Sequence, residues 1–280
     1  MTGKHRQSEV ILRQSDRLMT PSSQPPPTGM RLMRRVKLGG WRYSVSQDYG
    51  GQVYVGGSNG VDRVTSDGQS SHVISVYGNF WSVSVNDGVI YALVCNRDDW
   101  SVRVYGSDYQ LIQLWRHSQR VFNCVFNQLA VTKDSVLVPD RGSQTIIQYS
   151  LTGEAERRIP CPVLTDDYTW LCVMSPRRDA VIVSCDDTVS CIDLSTGDCV
   201  WSTASLEKTT AVCCDDADRV YVAVGGSSDT IQIAVLDGDT GKTAFTYYTH
   251  PNFSNCSAAS PFVGAIDHVI KLCCAITVWD

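Results

Sequence analysis

Three observations predict an all-β fold built from repeated antiparallel units. From residue 30 onward, short β-branched and aromatic runs alternate with Gly, Asp and Ser turns. No segment sustains the 3.6-residue period of a long amphipathic helix. One turn-and-strand signature returns at a mean spacing of about 43 residues. The chain has 280 residues, 43% hydrophobic, 19% charged and 9% aromatic, a globular composition that excludes collagen, coiled coil and wholesale disorder. No apolar run approaches the roughly 20 residues that span a bilayer. The first 30 residues hold no apolar segment of signal-peptide type.

The elements follow in order. Residues 1–29 read as a disordered basic leader, Ser-rich and closed by Pro25-Pro26-Pro27. The first unit opens with Gly50-Gly51-Gln52 before Val53-Tyr54-Val55. Five turns ending in Asp then each precede a short apolar strand: Asp87 before Val89, Asp134 before Val136, Asp179 before Val181, Asp218 before Val220 and Asp267 before Val269. A further strand follows each one, over Val61–Thr65, Val102–Tyr105, Thr145–Tyr149, Val189–Asp193, Thr230–Val235 and Ala275–Trp279. Tight turns come next at Asp67-Gly68, Gly106-Ser107-Asp108, Thr152-Gly153, Thr196-Gly197 and Thr240-Gly241, where Gly supplies the positive φ such hairpins need. Apolar segments precede the Asp turns at Trp81–Val85, Leu129–Val131, Trp170–Met174 and Thr210–Cys213. Four strands per unit and six units predict a six-bladed β-propeller over residues 30–280. The sixth unit stops after its third strand, so Met30–Lys37 is expected to supply its outer strand and close the ring. Arg31, Arg34 and Arg35 suit such an edge, because charge on an outer strand discourages aggregation.

Charge is uneven. Residues 1–40 carry eight Lys/Arg against two Asp/Glu, which leaves 16 against 27 in the other 240 residues. An acidic body repels phosphate backbones unless its bases cluster, so DNA is not expected as a partner and RNA is disfavoured. The 12 cysteines include no C-x-x-C pair, and most lie inside strand-like runs. They read as free, buried thiols in a reducing, cytoplasmic compartment. No zinc ligand set follows from their spacing.

The unit Lys133-Asp134-Ser135-Val136-Leu137-Val138-Pro139-Asp140, continuing through Thr145-Ile146-Ile147-Gln148-Tyr149 to Thr152-Gly153-Glu154, resembles an NHL repeat. Ile192 to Trp201 is more similar to a PQQ-type repeat, and Thr277-Val278-Trp279-Asp280 resembles a WD40 ending. The resemblance covers about residues 30–280. It implies a propeller of the kind that ends tripartite-motif proteins and binds protein or RNA. The RING and B-box zinc motifs of those proteins are absent from this sequence, so ligase activity does not carry over.

No catalytic constellation stands out. His72, His117, His250 and His268 are scattered over four units, with neither H-E-x-x-H nor a Ser/His/Asp spacing. Acidic pairs at Asp98-Asp99, Asp166-Asp167, Asp186-Asp187 and Asp215-Asp216 raise a calcium-dependent hydrolase as one alternative. Ca²⁺ takes about six to eight convergent oxygens, and no repeated carboxylate spacing enforces convergence. Gly56-Gly57 and Gly225-Gly226 open no helix and so make no phosphate loop. No cofactor or metal is expected. The leading expectation is a non-enzymatic scaffold that binds a protein or peptide on one face, with RNA binding as the first alternative. The expected site lies over blades two and three: Arg97, Trp100, Arg116, His117, Arg120 and Arg141. Arg and Trp are the side chains enriched in binding hot spots. A basic patch on an acidic body suits an acidic or phosphorylated peptide.

Overall fold

Among the described residues the β-rich repeats fold into five four-stranded antiparallel sheets and two strand pairs. The computed structural model describes residues 7–14, 31–39, 42–48, 51–75, 79–96, 99–116, 128–164, 169–173, 178–185, 187–203, 206, 209–215, 218–225, 231–248, 261–266 and 269–274. Strand β1 (Gln7–Gln14) pairs with β2 (Arg31–Gly39). Blade one is β3 (Arg42–Gln47), β4 (Val53–Gly57), β5 (Gly60–Val64) and β6 (Ser70–Ile74). Blade two is β7 (Asn79–Asn86), β8 (Val89–Asn96), β9 (Asp99–Tyr105) and β10 (Leu111–Arg116). Blade three is β11 (Ala130–Val131), β12 (Ser135–Asp140), β13 (Thr145–Ser150) and β14 (Ala155–Pro160). Blade four is β15 (Thr169–Val173), β16 (Ala180–Cys185), β17 (Thr188–Asp193) and β18 (Cys199–Thr203). Blade five is β19 (Thr209–Cys214), β20 (Arg219–Gly225), β21 (Ile231–Asp237) and β22 (Thr243–Tyr248). The final pair is β23 (Pro261–Ile266) and β24 (Val269–Cys274). Among the described residues no helix is long and apolar enough to cross a membrane.

The protein is therefore an all-β propeller of four-stranded blades, with five complete blades among the described residues rather than the six expected. The difference lies at the chain ends. The third strand expected at Ala275–Trp279 falls outside the described residues. The strand expected at Met30–Lys37 forms as β2, but its partner is β1. Strand β1 lies within the leader expected to be disordered. Its apolar run, Val10-Ile11-Leu12, is too short among polar neighbours to signal a strand in the sequence. β1 runs beside β24, and β23 lies against both β19 and β3.

Successive sheets bury apolar faces against one another. Tyr54, Val61 and Ile74 of blade one meet Phe80, Ile90 and Val94 of blade two. Leu93, Val102 and Val104 meet Val136, Val138 and Ile147 of blade three. Leu137, Ile146 and Ile159 meet Val181, Val183 and Ile192 of blade four. The opposite face of blade four, with Ile182 and Cys191, meets Val220 and Val222 of blade five. Val36 and Leu38 of β2 pack in the same cluster as Val53, Val55 and Val64 of blade one.

The turns explain the repeat seen in the sequence. Asp48 Oδ1 accepts from Gln52 N at 2.8 Å, and Asp215 Oδ1 accepts from Arg219 N at 2.9 Å. Asp87 and Asp218 take the left-handed conformation that Asp tolerates better than most residues. The Thr-Gly turns have a second reason for glycine. A side chain on Gly153 would collide with the indole of Trp115, which reaches over from blade two. Gly241 stands in the same relation to Trp201 of blade four, whose Nε1 also donates to Gly238 O at 2.7 Å.

Candidate functional site

Strand direction alternates within a blade, so the first–second and third–fourth turns share one end of the propeller. The second–third turns and the links between blades share the other. The Asp turns, with Asp48, Asp87, Asp108, Asp193 and Asp237, gather at the first end. The expected basic patch belongs to the second, and the structure treats its members differently. Arg97, His117 and Arg120 lie outside the described residues. Arg141 opens the 3-10 turn Arg141–Ser143 at the second end of blade three. Arg116 is exposed at the end of β10.

Trp100 corrects the expectation. It is 5% exposed and sits in the core between blades two and three, with Leu129, Val136 and Tyr149. Strand β9 begins at Asp99, before the Val102 start read from the sequence, so Trp100 pairs with Cys95 inside the sheet. Trp100→Ala is expected to lower stability by about 3–5 kcal/mol, as truncation of a buried aromatic does. Denaturant titration checks this; unchanged stability with weakened partner capture would return Trp100 to the surface.

Asp140 precedes the Arg141 turn and is nearly buried. Its Oδ2 accepts from Ser143 Oγ at 2.7 Å and from Arg158 Nη1 at 2.7 Å. Burial disfavours its charged form, but the hydrogen bonds from Arg158 and Ser143 and the charge of Arg158 outweigh that. Its carboxyl is held below the usual carboxylate range. A depressed folded pKa gives stability that is full above the unfolded value of about 3.9 and is lost as pH falls through the folded one. Asp140→Asn should therefore be less stable than the parent at pH 7, and the gap should narrow on acidification below about pH 4. Urea midpoints measured across pH 2–7 test this; a gap independent of pH would contradict it.

The site that stands out was not singled out in the sequence. Leu111, Ile112 and Leu114 on β10 are 52%, 57% and 42% exposed. β10 is the outer strand of blade two and, among the described residues, pairs with β9 alone. Leu111 pairs with Tyr105, Leu114 with Arg103 and Arg116 with Ser101, alternate residues of β9, so these three side chains share one face. Ile112 is the extra residue of a β-bulge between Leu111 and Gln113. Trp115 points to the other face, with ring centroids 6.1 Å from Tyr91 and 6.0 Å from Tyr149. Its Nε1 donates to Gln113 Oε1 at 3.0 Å. The indole anchors the strand while its apolar neighbours stay in solvent. The result is a rigid apolar rim with Arg103 and Arg116 on the same face and Asp108 exposed in the turn before it.

Other polar clusters are interior. Arg42 crosses blade one to pair with Asp62, whose Oδ1 lies 2.6 Å from His72 Nδ1. Arg42 stands opposite Gly57, and Gly57 opposite Gly60, so no side chain blocks that path. Asp215 accepts from Tyr221 Oη at 2.9 Å, and burial raises the Tyr221 pKa further than the Asp215 charge does. No group of three or more metal-ligating side chains occurs among the described residues.

No protein-family profile matches the sequence, and no curated protein matches it. Similar solved structures exist. A protein of unknown function from Bacteroides caccae aligns with TM-score 0.62 and 13% identity, covering 86% of this chain and 94% of that one. A nidogen/laminin complex structure aligns with TM-score 0.64 and 12% identity, covering 89% and 95%. At these identities the likeness is one of fold alone.

Proposed function

We propose that this chain is a non-enzymatic scaffold of the NHL-like propeller kind that binds a protein partner along the outer rim of blade two. One observation carries the proposal: an apolar strand left in solvent, flanked by arginines, on an otherwise acidic body. Singly exposed apolar residues are ordinary, but a contiguous patch marks an interaction surface. The arginines favour an acidic or phosphorylated partner segment. That one similar structure is of a nidogen/laminin complex agrees with a protein-binding role. RNA is disfavoured by the acidic body. The free thiols of Cys161 and Cys199 support a cytoplasmic site of action. Ile112→Glu combined with Leu114→Glu should cut partner capture more than tenfold with melting unchanged, since both side chains are already solvated. Undiminished capture by the folded variant would move the site to the loop end at Arg141.

We further infer that the two strand pairs complete a sixth blade, in the order β23, β24, β1, β2. The placement of β1 beside β24 supports this, as does the burial of Val36 and Leu38 of β2 in one cluster with residues of blades one and five. The ring would then be closed by two N-terminal strands rather than one.

A further inference from the structure

The outer strand of a blade has one edge with no partner inside the blade, and proteins keep such edges polar or covered. Two outer strands here follow that rule: β6 exposes Ser70, Ser71 and His72, and β14 exposes Glu156, Arg157 and Arg158. β18 exposes one large apolar side chain, Val200, beside Ser202. β10 departs furthest. Between Leu111 and Trp115 it carries no charge, and three of its five residues there are solvent-facing apolar side chains. Left open, such an edge is a template for uncontrolled strand pairing.

We propose that the rim is covered by a second copy of this chain, β10 pairing antiparallel with β10 across a two-fold axis at Gln113. It rests on β10 being the protein-contact surface argued above. The strand's own sequence selects this occupant. An isologous contact requires a patch complementary to itself. Pairing about Gln113 sets Ile112 of one copy opposite Leu114 of the other and Leu111 opposite Trp115, extending one sheet across both molecules. It also reverses the strand ends. Arg116 closes β10, and the Gly106–Gln110 turn with exposed Asp108 opens it. Each Arg116 therefore falls beside the Asp108 turn of the opposite copy, positive end against negative end, twice per dimer. A parallel arrangement would place Arg116 beside Arg116 and repel.

Sedimentation velocity of the full chain from about 1 to 100 µM tests the proposal. The expected result is a reversible monomer–dimer equilibrium. Ile112→Glu with Leu114→Glu should weaken it by about a hundredfold or more, as loss of central contact residues does. Arg116→Asp should weaken it about tenfold, and adding Asp108→Arg to that variant should restore it, because the ion pairs re-form with reversed sign. Circular dichroism melting confirms that each variant is folded. A chain monomeric at every concentration overturns the second-copy proposal, as does a dimer indifferent to the Ile112 and Leu114 changes. If the monomeric chain still captures a different protein through β10, the second copy is excluded while the rim remains the contact surface. If those changes alter neither assembly nor capture, both readings fall.

Discussion

Deleting residues 7–39 is expected to abolish cooperative folding of the remaining chain. These residues form β1 and β2 and supply Val36 and Leu38, which are 5% and 4% exposed in the apolar cluster that also holds Val53, Val55 and Val64 of blade one. Burial of each such side chain is worth about 1.5–3 kcal/mol, so the two together approach half the stability of an ordinary domain. The deletion also strips β24 of the strand beside it and uncovers a sheet edge. Broad, low-temperature melting and aggregation should result. A deletion variant that melts as sharply as the full chain, within a few degrees of it, would show that the N-terminal strands are accessory and that the inferred sixth blade does not exist.

Arg42→Ala should have the next largest effect. The Arg42 side chain is 4% exposed, and Asp62, its partner, is 9% exposed. Burial lowers the Arg42 pKa, against the pull of the Asp62 charge. Removing one member of a buried pair leaves the other charge without compensation, at about 3–5 kcal/mol. For a chain of this size the midpoint should fall by roughly 10 °C. Replacing both residues, Arg42→Leu with Asp62→Leu, should cost much less, because no buried charge is orphaned. If the double variant melts lower than Arg42→Ala, the pair contributes more than mutual neutralisation. If Arg42→Ala melts like the parent, the pair contributes nothing.

The fold was legible where local chemistry repeats. Asp turns and Thr-Gly turns placed the starts of five inner pairs of strands to within three residues, because each turn needs Asp as a local acceptor or Gly at positive φ. The sequence was silent where identity depends on distant partners. β1 has an apolar run of three residues and exists through β2. Trp100 reads as a loop residue until β9 is seen to start at Asp99, which turns its indole into the core. The rim was hidden for the converse reason: Leu111 to Trp115 is an apolar run with nothing to mark it as exposed, and the sheet order shows it to be the outer strand. The signal available was comparative. At the same place in the repeat the first and third units carry Ser-Ser-His and Glu-Arg-Arg, and the second carries Leu-Ile-Gln-Leu.

A second copy on the rim makes β10 a covered edge in solution. Amide hydrogen exchange of the full chain at low and high protein concentration reads that edge residue by residue. Amides of Leu111–Arg116 are expected to slow markedly as concentration rises, while those of the outer strands β6, β14 and β18 do not change. Exchange in β10 that is as fast as in the other outer strands at every concentration would contradict the second copy.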